Sequence, residues 1–176
     1  KYDSGAFQKS VGLNGVGTKA VNALSDSFEV TSFREGKSKF ASFDTGNLKV
    51  DEGVAPSTER NGTLTVFRPD SEIFKGYSYR TEHVERMLWN YAYLNTGLAL
   101  YLNGTKFKSE SGLKDLLEAD MDVAARYPIV HLKGEDIEVA ITHGDAYGES
   151  LQSFVNGQYT PQGGTHQGAF REAYVK

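Results

Sequence analysis

Gly12, Gly15 and Gly17 stand in a G-x-x-G-x-G spacing and run straight into Thr18 to Leu24, where Ala20, Val21 and Leu24 fall at helical spacing. Glycines at these positions permit positive φ and let a ligand approach the backbone closely. A helix beginning at about Gly17 offers its first unpaired N–H groups and the positive end of its dipole. With the loop amides of Leu13 to Gly17, that is chemistry for an anion such as a polyphosphate. The bare pattern leaves two readings open, a phosphate cradle or a tight loop before a packed helix. Its spacing is the reverse of the Rossmann fingerprint, and no Walker Gly-Lys-Ser/Thr follows the last glycine.

Other chemistry is sparse. His166 follows Gly163 and Gly164 and could be taken for a catalytic base, but no serine or cysteine nucleophile constellation accompanies it, so a structural histidine at a helix start is the better reading. His83, His131 and His143 are scattered without ligand spacing, and there is no cysteine, so neither a zinc site nor a disulfide framework is expected. The 176 residues carry 19 basic and 23 acidic side chains, a net charge of −4 that draws the chain toward no nucleic acid by itself. No run of eighteen apolar residues and no signal peptide is present, which makes a cytoplasmic address and no membrane partner the expectation. Lys1 is no initiator methionine and Lys176 falls inside an apolar-periodic helix, so the sequence reads as a piece of something longer.

The elements that must position the glycine loop follow from periodicity. Lys1 to Val11 is polar and aperiodic, as suits a mobile lid. Phe28 to Asp44 alternates about Gly36-Lys37 and predicts an antiparallel hairpin. Gly46 to Arg60 reads as a loop or ragged edge strand, and Asn61 to Asp70 as a strand ended by Pro69. Thr81 to Asn95 is the clearest helix, with Val84, Met87, Leu88, Tyr91 and Ala92 as its apolar stripe, Glu82 and Glu85 in its first turn and Gly97 as the C′ residue. Asn103-Gly104 is a type I′ signal between Leu98–Leu102 and Thr105–Ser109. A second amphipathic helix is expected over Ser111 to Met121, then strands at Ile129–Leu132, Ile137–Thr142 and Glu149–Val155, and a helix N-capped by Thr165. Composition shifts at about residue 110, where a domain boundary is expected.

The full string GLNGVGTKAVNALS closely resembles the G-L-H-G-V-G-x-x-V-V-N-A-L-S block of the B subunits of bacterial type IIA DNA topoisomerases, the family of DNA gyrase and topoisomerase IV. A second block, SFVNGQYTPQGGTHQGAFREA, resembles that family's transducer signature. Weaker matches between them, R-E-G-K at Arg34, G-T-L-T-V-F-R-P-D at Thr63 and Y-L-N-T-G at Tyr93, occur in the family's order.

The resemblance implies an α+β chain. Residues 1–110 would be the C-terminal half of an ATPase domain of the gyrase, chaperone, histidine kinase and MutL type, mostly antiparallel sheet backed by helices, and residues 111–176 the start of a βα transducer domain. It implies that Leu13, Asn14, Gly15, Val16, Gly17 and Thr18 contact the triphosphate of ATP, Asn14 standing where the family has histidine. Lys1 would reach toward the phosphates, Phe7 would take the place of an adenine-contacting tyrosine, and Thr63 would sit at the pocket floor beside the base. Arg34 falls near the pocket mouth where aminocoumarin drugs lie in the family, although a surface hairpin arginine is favoured for turnover.

The implied function is coupling of ATP binding and hydrolysis to DNA strand passage, with Mg²⁺, DNA, an A subunit and a second B subunit as cofactor and partners. The family's general-base glutamate, Mg²⁺-ligating asparagine, adenine-binding aspartate and γ-phosphate lysine have no counterpart in residues 1–176, so no catalytic or metal-ligating residue is expected here and the isolated chain is expected to be inactive. A non-enzymatic scaffold and a MutL-type or chaperone-type ATPase are the alternatives, and the GGTH block after a strand speaks against both. Gyrase and topoisomerase IV are not separable on these residues.

Overall fold

The computed structural model describes residues 15–176. Packing divides the chain into two compact units, one ending at Ser78 and the next beginning at Tyr79.

The first unit comprises α1 (Gly17–Ala23), β1 (Ser25–Arg34), β2 (Lys37–Asp44), β3 (Asn47–Asp51), β4 (Ala55–Pro56) and β5 (Gly62–Pro69). The strands form one antiparallel sheet in the order β3-β2-β1-β5, with β4 pairing β2. Each tight turn is made by two residues with positive φ: Glu35 (53°) and Gly36 (73°) join β1 to β2, and Thr45 (47°) and Gly46 (82°) join β2 to β3. Such left-handed pairs match the twist of the flanking strands. The stretch read as a loop or ragged edge is β3 and β4, and all five residues of β3 are exposed.

Phe28 is the centre of this unit, only 3% exposed. Its register partners Phe43 and Phe67 lie on the same face of the sheet, and the Phe28 and Phe43 rings meet edge to face at 6.1 Å. The entry of α1 into β1 is bonded tightly. Ser25, 1% exposed, donates its hydroxyl to the Val21 carbonyl at 2.6 Å, while the amides of Thr45 and Asp70 donate to Ser25 O at 2.9 Å and Leu24 O at 3.0 Å. The C-terminal end of α1 therefore rests against the β2–β3 turn, and a Cβ on Gly46 would stand 3.4 Å from Ala23 Cα.

The second unit comprises α2 (Thr81–Leu94), β6 (Leu100–Leu102), β7 (Thr105–Phe107), α3 (Leu113–Asp120), β8 (Val130–Lys133), β9 (Glu138–Ile141), β10 (Phe154–Val155), β11 (Gln158–Tyr159) and α4 (Thr165–Val175). Its strands form three antiparallel hairpins, β6-β7, β8-β9 and β10-β11. Asn103 and Gly104, with φ of 49° and 87°, make the expected turn of the first. No helix among the described residues is long and apolar enough to cross a membrane.

Here the structure corrects several details. The buried side of α2 is centred on Ala92, 0% exposed, with Val84 and Leu88 half-buried behind it, whereas Met87 and Tyr91 are 57% and 44% exposed. Trp89, which helical periodicity alone passes over and which is itself 36% exposed, stacks on Tyr93 at 5.3 Å and meets buried Phe107 edge to face at 5.3 Å. Of the two glutamates only Glu82 lies in the first turn. The helix is capped at Asn95, so Gly97, with φ of 86°, comes one residue later than the C′ position. Thr165 is the first helical residue of α4 and Gly164 its N-cap, in an extended conformation with no side-chain cap. The strand expected from Glu149 is shortened to Phe154–Val155.

Around residue 110 the chain passes through a closely bonded turn. Asp115 Oδ2 accepts the Ser109 hydroxyl at 2.6 Å and the amides of Ser111 and Glu110 at 2.9 and 3.1 Å, and Gly112 N–H donates to Ser109 Oγ at 2.8 Å. This satisfies the amides of Glu110, Ser111 and Gly112, which lead into α3. Burial alone would push the Asp115 carboxyl up, but the hydrogen bonds from Ser109, Ser111 and Glu110 outweigh it and hold the group below its ordinary value. Burial, then the Asp115 carboxylate, push the Tyr93 phenol up.

Candidate functional site

Gly15 to Thr18 form the turn into α1. Gly15 has φ of 61°, the left-handed conformation that favours glycine, and Val16 caps the helix in a right-handed conformation with no side-chain hydrogen bond. The first bond of the helix runs from Ala20 N to Val16 O at 2.9 Å, so the amides of Gly17, Thr18 and Lys19 have no intrahelical acceptor. Residues 15–20 are all exposed, and the first turn contains no acidic residue. A Cβ placed on Gly17 would meet nothing within 4 Å. Among the described residues these amides have no acceptor and the first turn carries no carboxylate, an arrangement that fits a polyphosphate.

Thr63 is the second residue of β5, exposed, and pairs with Ser32 of β1. It shares the face of the sheet that carries Phe28 and Val30, and α1 enters the opposite end of β1, at Ser25, roughly 20 Å along the strand. The loop residues Gly15, Val16, Gly17 and Thr18 are contiguous in space, while Thr63 belongs to the same sheet at its far end. Lys1, Phe7, Leu13 and Asn14 lie outside the described residues. Arg34 stands at the β1–β2 turn with 81% of its side chain exposed, 3.2 Å from Glu35 Oε1. Glu35 N–H in turn donates to Asn61 Oδ1 at 2.9 Å. Among the described residues no three histidine, aspartate or glutamate side chains are grouped to hold a metal ion.

Periodicity passes over one group on α1. Asn22 Oδ1 is buried and, among the described residues, is the single buried side-chain nitrogen or oxygen with no hydrogen-bond partner. The only sequence signal for it is the amide itself, a poor helix former among Ala20, Val21 and Leu24.

Comparison with known proteins finds similar chains. The model of DNA gyrase B matches residues 97–176. The chain is 47% identical over 177 residues to the B subunit of DNA topoisomerase 4 from Borreliella burgdorferi, an alignment covering 100% of this chain and 29% of that protein. It is 34% identical over 194 residues to the B subunit of DNA gyrase from Eisenibacter elegans, covering 99% and 40%. The crystal structure of the 43K ATPase domain of Thermus thermophilus gyrase B in complex with an aminocoumarin superimposes with a TM-score of 0.78 at 30% identity, over 92% of this chain and 48% of that one. The chain therefore spans less than half of each of these proteins. With the glycine loop and the transducer-like block in the family's order, and an α+β fold to match, these similarities support a fragment of a bacterial type IIA DNA topoisomerase B subunit.

Proposed function

We propose that this chain supplies the phosphate loop and the opening of the transducer domain of a B subunit that couples ATP binding and hydrolysis to DNA strand passage. In this reading the amides of Leu13, Asn14, Gly15, Val16, Gly17 and Thr18 grip the triphosphate, Lys1 reaches toward it, Phe7 lies against adenine and Thr63 forms the pocket floor. The domain junction falls at about residue 110. The observation that carries the reading is the exposed start of α1, with no side-chain cap, no acidic residue in its first turn and, among the described residues, no acceptor for its first amides.

Bound ATP with Mg²⁺ supplies a γ-phosphorus open to in-line attack by water. What these residues contribute is position and charge compensation, because fixed amides aimed at phosphate oxygens lose no energy to reorganisation. The general base, the Mg²⁺ ligand, the adenine-binding aspartate and the γ-phosphate lysine are proposed to come from other segments of the subunit. DNA, an A subunit and a second B subunit are the partners of the assembled enzyme, and its compartment is the cytoplasm.

Affinity of the intact subunit for a nonhydrolysable ATP analogue tests this. Gly15→Val should abolish binding, since its branched side chain meets a φ of 61° and fills the space where phosphate approaches the amides. Gly17→Ala should keep the fold, because nothing lies within 4 Å of the new Cβ, and still weaken the analogue. Wild-type affinity in Gly15→Val would mean that this loop does not cradle phosphate.

A further inference from the structure

The chain as a whole is acidic, so any surface of it that meets a polyanion has to be a local one. Such a surface lies on α2. At 3.6 residues per turn, Arg86, Asn90, His83, Met87, Arg80 and Tyr91 follow one another around an arc of about 140°. Asn90 is half-buried and the other five are exposed. Glu82 and Glu85, the acidic residues of the helix, fall outside that arc. Glu82 stands one turn before Arg86, yet the one-turn ion pairs among the described residues join Lys114 to Glu118 and Glu172 to Lys176 instead. These cations do nothing for the helix itself. Positive side chains stabilise the C-terminal end, where the last turn of α2 has none, whereas Arg80 is the N-cap, where the dipole opposes it. Beside the arc, Met87, Asn90 and Tyr91 line a cleft of about 320 Å³ with Gly157, Gln158 and Tyr159 of the β10–β11 hairpin, and no carboxylate stands in that hairpin between Phe154 and Tyr159.

We propose that this face of α2 is a contact surface for the backbone of duplex DNA, with Arg80 and Arg86 each neutralising a phosphate and Asn90 and Gln158 hydrogen-bonding to the sugar-phosphate chain beside them. Arginine, asparagine, glutamine and tyrosine side chains are the set that holds phosphate and sugar oxygens. From Arg80 to Asn90 the helix runs roughly 15 Å, the length of about four base-pair steps. A duplex suits this face better than an acidic peptide, because its charges repeat along a stiff axis and meet a straight helix without first being ordered. Contacts of this kind fix position and carry no base specificity. The inference rests on the reading that the intact subunit acts on DNA.

The test follows binding of a short blunt DNA duplex to the intact subunit by fluorescence anisotropy across a salt series, for wild type, the pair Arg80→Gln with Arg86→Gln, and the pair Arg80→Lys with Arg86→Lys. Loss of two phosphate contacts should flatten the slope of log K against log salt by about 1.8 and weaken binding at low salt by about ten- to a hundredfold. The lysine pair should keep the slope, since both charges remain. Melting temperature and affinity for a nonhydrolysable ATP analogue should match wild type in both pairs, because the two side chains are exposed and belong to a different unit from the glycine loop. A flattened slope accompanied by a lowered melting temperature assigns the arginines to structure and overturns the proposal. Unchanged DNA binding with weakened association of the A subunit assigns the face to a protein partner and overturns it as well. If the wild-type subunit binds no duplex, the DNA reading falls and this one with it. If wild type binds and the glutamine pair keeps its slope, only the role of α2 is lost.

Discussion

Gly112→Ala adds a single carbon at a point where the backbone and three neighbours all resist it. Gly112 is the N-cap of α3 with φ of 62° and ψ of −121°, a conformation L-residues rarely adopt. Holding alanine there costs about 1–3 kcal/mol. The new Cβ would lie 2.8 Å from Thr96 Oγ1 and 3.2 Å from both Glu138 Oε1 and the Tyr93 carbonyl. The hydroxyl and the carboxylate can swing, but the carbonyl belongs to the end of α2, and forced overpacking of this kind costs about 1–3 kcal/mol. Alanine recovers about 0.4–1 kcal/mol through a less flexible unfolded chain. The net expectation is a loss of about 2–5 kcal/mol, against about 5–15 kcal/mol for a whole protein. For a chain of this length that lowers the melting temperature by roughly 5–15 °C. Trp89 is the single tryptophan and packs on Tyr93 and Phe107 in the same unit, so its fluorescence reports the local transition. Gly168→Ala is the internal control: it lies within α4, its Cβ would meet nothing within 4 Å, and it should stabilise by about 0.5–1 kcal/mol. A Gly112→Ala protein that melts with wild type, or below which Gly168→Ala falls, would refute the turn geometry on which this reasoning stands.

Asp115 predicts a pH dependence with a definite sign. Its folded value is lowered by the bonds from Ser109, Ser111 and Glu110, so its contribution is present above the ordinary carboxylate value of about 4 and is lost as pH falls through the lower folded value. Denaturant melts followed at Trp89 should therefore show stability declining below about pH 4 in wild type and a flatter, lower profile in Asp115→Asn; parallel profiles would remove Asp115 from the account. Asn14→His should leave analogue affinity of the intact subunit nearly unchanged, because the proposed contact runs through the backbone, and a large loss would assign a side-chain role to position 14. The isolated 176-residue chain should release no phosphate from ATP with Mg²⁺ beside a version extended upstream, since a positioned general base alone is commonly worth about 10²- to 10⁴-fold. Comparable turnover by the two would place the base within this chain, at a carboxylate such as Asp3 or Glu35.

What the amino-acid order determined by itself is what depends on neighbours in the chain. The turn at Asn103-Gly104, the start of α1 at Gly17 and the extent of α2 all follow from φ preferences and helical spacing within a few residues, and the structure places them there, whereas the first hairpin turns at Glu35-Gly36, one residue before the expected Gly36-Lys37. The glycine block and the GGTH block were legible for the same reason, since each is a contiguous string. Tertiary structure decided which residues of a periodic stripe meet a partner. In α2 Ala92 is buried and Trp89 meets Phe107, while Met87 and Tyr91 stay more exposed and line a cleft with Gly157, Gln158 and Tyr159, a choice set by the elements around the helix. It likewise decided that Asn22, unremarkable in sequence, buries an acceptor with no donor among the described residues, and that Ser109, Gly112 and Asp115 close one turn against Thr96 and Glu138. Burial and hydrogen-bond satisfaction are properties of the space between elements, and that space is fixed only when elements distant in sequence have packed.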